Sequence, residues 1–104
     1  MKRRRGLLSF SRVRSAAANH TEALVTRWLP DGHREGREWV ARNPTRGDAR
    51  AGSFKVNLST GAWGDFATDS KGGDLISLAA YLRNISQLEA ARNIAEMLGI
   101  DAYE

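Results

Sequence analysis

The chain has no cysteine, and only two histidines and two prolines, in 104 residues. Without cysteine there is no disulfide framework, no thiolate zinc site and no thiol nucleophile. His20 and His33 stand thirteen residues apart with no other soft ligand near them, which argues against a transition-metal site. Long apolar runs are missing as well. The start, MKRRRGLLSF, carries the charge of a signal peptide, but its apolar run stops at Leu7 and Leu8, far short of an h-region. No window approaches the length of a membrane-spanning helix. The chain therefore reads as cytoplasmic, with no membrane partner. Acidic residues are scarce in one half only: residues 1–55 hold 13 Lys/Arg against 5 Asp/Glu, whereas 56–104 hold 3 against 7.

What is present is enough for one modest core and not two. A composition of 41% hydrophobic and 27% charged residues is that of a folded globular chain rather than a disordered one. Of the 16 cations all but Lys2, Lys55 and Lys71 are arginine, whose planar fork grips phosphate bidentately. A pI near 10 with one basic half is an electrostatic footprint for nucleic acid. A GC-rich genome also yields arginine, so the asymmetry is the stronger signal.

Residues 1–8 read as a basic flexible tail and 9–104 as a single α+β domain. From 9 to 29 the apolar positions Phe10, Val13, Ala17, Leu24, Val25 and Trp28 follow a helical repeat. Asn19 with Glu22 resembles a capping box, so this lead-in is two helices or one with a kink. Pro30-Asp31-Gly32 ends it, and His33 to Glu38 reads as a charged connector around Gly36. A sheet over 37–67 follows, an antiparallel meander of three strands: Trp39 to Arg42, Ser53 to Leu58, and Ala62 to Ala67. Phe54, Val56 and Leu58 alternate with Lys55 and Asn57, the pattern of a half-buried strand, and Ser59-Thr60-Gly61 supplies the turn. Asp74 is placed to cap a helix over 75–83, whose apolar face is Leu75, Leu78, Ala79 and Leu82. Ser86 with Glu89 caps a second over 87–98, with Leu88, Ala91, Ala95 and Leu98 facing inward and Gly99 as its stop.

The order of features is N-P, a polar loop, G-S-F, a hairpin, an aromatic strand with D-F, K-G-G-D, an apolar helix, then S-x-x-E-A-A and a final L-G. Over about residues 27–100 this resembles the N-terminal zinc-ribbon (CHC2-type) domain of bacterial-type DNA primases. It is closer still to the zinc-less versions in primase-helicase proteins of phages, plasmids and integrated elements. The resemblance implies that the family's metal ligands fall at Asn43, Arg46, Asp65 and Thr68, with Phe66 in the aromatic place between the last two. That set cannot bind zinc in the family's way. The ribbon would then be held by packing and hydrogen bonds, with Trp28, Trp39, Trp63, Phe54 and Phe66 as the replacement core.

For nucleic-acid work the candidates are Arg34, Arg37, Arg42, Arg46, Arg50 and Lys55 around the expected sheet. Trp63 is the candidate exposed aromatic for stacking a base. The plainer readings are a solvated face for the cations and a core place for Trp63. Lys71, before two glycines and a helix start, is a further phosphate candidate, although Asp74 at the cap competes for the same backbone donors. Asp65 and Asp69 form no catalytic constellation with a base or metal, and Ser53 and His33 sit in no triad context. The expectation is a non-catalytic DNA-binding module without cofactor or metal. It would hold or steer template DNA, single-stranded by preference, for a primase or helicase of a mobile element. The rival expectation is a protein-interaction module, an inhibitor or recruiter acting on a host protein. A nuclease or phosphotransfer fragment using Asp65 and Asp69 is a third.

Overall fold

The computed structural model describes residues 7–45 and 52–103. The first six residues of the expected tail, and the expected DNA contacts Arg46 and Arg50, lie outside the described residues.

The lead-in is two helices, α1 (Phe10–Ala18) and α2 (Thr21–Trp28). Ser9 opens α1 by accepting from the Arg12 N–H through its side chain. The capping box expected at Asn19 does not form. Asn19 is helical (φ −78°, ψ −7°) and closes α1, its N–H donating to the Ala16 carbonyl and the next N–H, of His20, to that of Ala17, whereas an N-cap needs an extended backbone. Ordered pairing also reaches into the segment read as tail: Leu8 bridges to Tyr103, and the Ser9 N–H donates to Ala102.

The sheet has five strands rather than three, all antiparallel and in chain order: β1 (His33–Glu35), β2 (Glu38–Ala41), β3 (Phe54–Asn57), β4 (Trp63–Asp65) and β5 (Lys71–Gly72). The three expected strands are its centre. The connector His33 to Glu38 is instead a tight hairpin, with Glu35 opposite Glu38 and a two-residue turn between them. Gly36 supplies the positive φ (62°) at the first turn position, as a primed hairpin turn requires. β5 is edged onto β4 by Gly72, which has no room for a side chain: a Cβ there would overlap Ser77 Oγ and the Trp63 indole.

The closing helices, α3 (Leu75–Arg83) and α4 (Gln87–Leu98), have the bounds expected of them. Asp74 and Ser86 cap them through their side chains, and Asn84 and Gly99 end them in left-handed conformations. The buried face of α4 is turned relative to the expected one: Ala90, Ala91, Ile94 and Ala95 are buried and Leu88 is exposed.

All four helices serve one face of the sheet. Phe54, Val56 and Trp63 from the strands meet Leu75 and Leu78 of α3, and the Trp63 indole donates to Ser77 Oγ at 3.0 Å. The Trp63 ring lies 4.8 Å from that of Tyr81 and 5.9 Å from that of Phe54, centroid to centroid, the spacing of favourable aromatic pairs. On the β2 side the Trp39 indole donates to the Leu29 carbonyl that ends α2. The same core takes in Val13 and Ala17 of α1 and Ile94 of α4.

Candidate nucleic-acid interface

The strand register decides which side chains share a face. Ala41, Phe54 and Asp65 stand in one row across the sheet, and Trp39, Val56, Trp63 and Gly72 in the next, all toward the helices. The alternate row, Val40, Lys55, Gly64 and Lys71, faces away. Val40 is buried at its β2 end. Over β3 to β5 this outer face is open, forming a groove of about 550 Å³. Lys55 and Lys71 flank Gly64, so the groove floor between two cations is bare backbone. Phe66, just past β4, stands 76% exposed at the groove, with the Lys55 ammonium 5.5 Å from its ring centre. An ammonium over an aromatic face is favourable and leaves the other face of the ring free for a ligand.

Two expectations are corrected here. Trp63 is not the exposed aromatic, for it is 7% exposed and packed in the core. Phe66 is not part of the core. The reason is strand parity: residues three apart on a strand point to opposite faces, so Trp63 inside sends Phe66 outside.

Among the described residues the expected arginines, Arg34, Arg37 and Arg42, do not gather in the groove. Arg34 shares its row with Trp39 and reaches α2, where its guanidinium is 3.1 Å from the Glu22 carboxylate. Arg37 sits exposed in the β1–β2 turn. Arg42 follows β2 and pairs with Asp31 at 2.7 Å. Of the expected contacts among the described residues, Lys55 and Lys71 meet at the groove, beside an edge of the buried Trp63. Gly64 and Glu38, which also line the groove, carry no signal in the linear sequence; Asp69, singled out there only as a carboxylate partner of Asp65, lines it too, while Asp65 is buried.

Beneath the loops at one end of the sheet lies a buried polar cluster. Asn43 is fully buried and Asp65 2% exposed. The Asn43 amide donates to the Asp65 carboxylate at 2.7 Å and to the Tyr81 hydroxyl at 2.8 Å. Its carbonyl oxygen accepts from the N–H and the hydroxyl of Thr45. Asp65 also accepts from the Ala67 N–H, which shapes the turn that presents Phe66. Burial pushes the Tyr81 hydroxyl toward a higher pKa, but hydrogen bonds with Thr45, Asn43 and Ser70 outweigh it and leave the pKa below its ordinary value. Asn43 and Asp65 are two of the four positions at which the resemblance put metal ligands. Among the described residues no group of three or more His, Cys, Asp or Glu is placed to hold a metal ion.

No protein-family model and no curated protein matches the chain. Among the described residues no helix is long and apolar enough to cross a membrane.

Proposed function

We propose that the chain is a non-catalytic, primase-type DNA-binding module that holds a single strand on the open face of its sheet. The observation that carries this reading is the Lys55–Gly64–Lys71 row beside the exposed ring of Phe66. Two ammonium groups across a bare floor suit a phosphate backbone, and an exposed aromatic suits a base that is not already stacked in a duplex. The Asn43–Asp65 hydrogen bond supports the primase-type part: it ties together the two loops that a metal would tie in the resembling family. Arg42 sits in an exposed ion pair worth at most about 1 kcal/mol, so it can turn to a phosphate at small cost, whereas Arg34 lies on the helix side of the sheet.

Fluorescence anisotropy with single-stranded and duplex oligonucleotides at two salt concentrations tests this. Single strands are expected to bind more tightly than duplex. A Lys55→Ala/Lys71→Ala variant is expected to lower the salt slope by about 1.4, two phosphate contacts' worth for a single strand. Phe66→Ala is expected to weaken binding by about 1–3 kcal/mol at either salt. A folded wild-type chain that binds no oligonucleotide at low salt sinks the proposal.

The protein-interaction reading has one observation in its favour. A cleft of about 330 Å³ places Trp28, Pro44 and Leu82 between Arg27 and Arg83, and arginine and tryptophan are the residues that most often anchor protein interfaces. An Arg27→Glu/Arg83→Glu variant that loses a stoichiometric protein partner yet keeps its DNA affinity would make that reading the better one.

A further inference from the structure

Away from the groove, one surface cleft is lined by donor side chains and hydrocarbon alone. It lies where the C-terminal turns of α2 and α3 come together, and Arg27, Trp28, Pro44, Ala79, Leu82 and Arg83 line it. None of these residues lines the groove on the outer face of the sheet. Both arginines are exposed, and neither takes part in any of the four ion pairs among the described residues. A cation in the last turn of a helix suits the helix dipole on its own account. The dipole does not explain why two such turns meet around one tryptophan and one proline. Among the described residues, the Trp28 indole N–H is also the one buried side-chain donor without a hydrogen-bond partner. Leaving such a group unpaired costs about 1–3 kcal/mol. Trp28 borders a second hollow as well, of about 250 Å³ and shared with Pro30 and Pro44.

Arginine and tryptophan side chains donate and cannot accept, while Pro44, Ala79 and Leu82 offer only hydrocarbon. The ligand that suits this lining brings acceptors and negative charge, and has an apolar group to bury. We infer that the cleft docks an acidic peptide segment, its carboxylates held by Arg27 and Arg83 and one large apolar side chain set against Trp28 and Leu82. The inference rests on the protein-interaction reading of this cleft and names the chemistry of the partner. Charge complementarity carries it, since two free guanidinium groups flank the cleft and no acid lines it. A phosphate chain also brings acceptors and charge. It has no apolar side chain to bury, however, and a base placed here would find no side-chain acceptor for its amines. Because the helices cover one face of the sheet and the groove lies on the other, a peptide in the cleft leaves the groove open.

The test pans a library of random displayed octapeptides on the whole chain, with counter-selection on an Arg27→Glu/Arg83→Glu variant. Both side chains are exposed, so the variant is expected to fold, which circular dichroism checks. Sequences with Asp or Glu beside a large apolar residue are expected to be enriched. The strongest of them, labelled with fluorescein, is then titrated against the wild-type chain. Its analogue with Gln and Asn for Glu and Asp is expected to bind about tenfold more weakly, and the double variant to bind the acidic peptide about tenfold more weakly. A Lys55→Ala/Lys71→Ala chain is expected to bind the peptide as the wild type does. Enriched sequences without acidic residues, or a neutral analogue that binds equally, overturn the acidic partner and leave the interaction reading standing. If no sequence separates the wild type from the double variant, the inference and that reading fail together. An oligodeoxythymidine that displaces the peptide from the Lys55→Ala/Lys71→Ala chain gives the cleft to nucleic acid and also overturns the inference.

Discussion

Replacing Asn43 with alanine probes the cluster that stands where a metal knuckle would stand. The side chain is fully buried and makes four hydrogen bonds to other described residues, two donated and two accepted. One donated bond goes to a carboxylate, worth about 2 kcal/mol net, and the neutral ones are worth about 1 kcal/mol each. Bonds that share one residue do not add fully, so a loss of about 3 kcal/mol is expected. For a domain of this size that lowers the melting temperature by roughly 15 °C. Circular dichroism melts of the two chains measure it. A drop under about 3 °C would refute the reasoning, because it would mean that water replaces Asn43 at no cost. Asn43→Asp sharpens the test. It sets a second carboxylate against Asp65, and one of the pair must then have its folded pKa raised above the unfolded value. A raised pKa gives stability that is present at low pH and lost as pH rises through it. The deficit relative to wild type should therefore be largest at neutral pH and narrow on acidification. Chelator should leave the wild-type melt unchanged.

Two glycines a few residues apart should behave oppositely. Gly72→Ala pushes a Cβ into Ser77 Oγ and the Trp63 indole and should cost about 1–3 kcal/mol in a urea melt. A Cβ at Gly64 meets Lys71 Cβ and Ser70 O at 3.8 Å, ordinary contact, so Gly64→Leu should leave the melt nearly unchanged while blocking the groove floor and weakening oligonucleotide binding. Burial raises the Asp74 pKa, but the Ser77 N–H and the Arg14 guanidinium outweigh it and hold it below the ordinary carboxylate value. Its stabilisation is therefore present above the unfolded pKa and lost as pH falls through the folded one. Asp74→Ala should cost about 1 kcal/mol at neutral pH, and the gap to wild type should close in acid; a gap constant with pH would contradict the capping role.

The parts of the fold written in local chemistry were legible. Asp74, Ser86 and Gly99 mark α3 and α4 because caps act within one turn, and β3 shows its two faces because alternation is local. The parts set by a distant partner were not. β1 is three exposed polar residues that form a strand only because Gly36 folds them back on β2. β5 is two residues whose strand character comes from β4 and from the space under Trp63. Helical spacing alone turns Leu88 inward, but α4 also packs against α1 and α3, and the wedge between them is filled by Ala90 and Ile94.

The site was half legible for the same reason. Charge counts along the chain favoured arginine, yet Arg34 and Arg42 are drawn off by Glu22 and Asp31, acids eleven and twelve residues away in sequence and side by side in space. The two lysines are left for the groove because no acid in the described fold reaches them. The outward place of Phe66 follows from strand parity in β4. Once Trp63 is committed to the core, the same alternation sends Asp65 inward and Gly64 and Phe66 outward. That one rule accounts for a carboxylate buried with Asn43 and for an aromatic ring left in solvent. The buried polar cluster and the open groove are thus two faces of a single strand, and a substitution that slips its register by one residue would destroy both together.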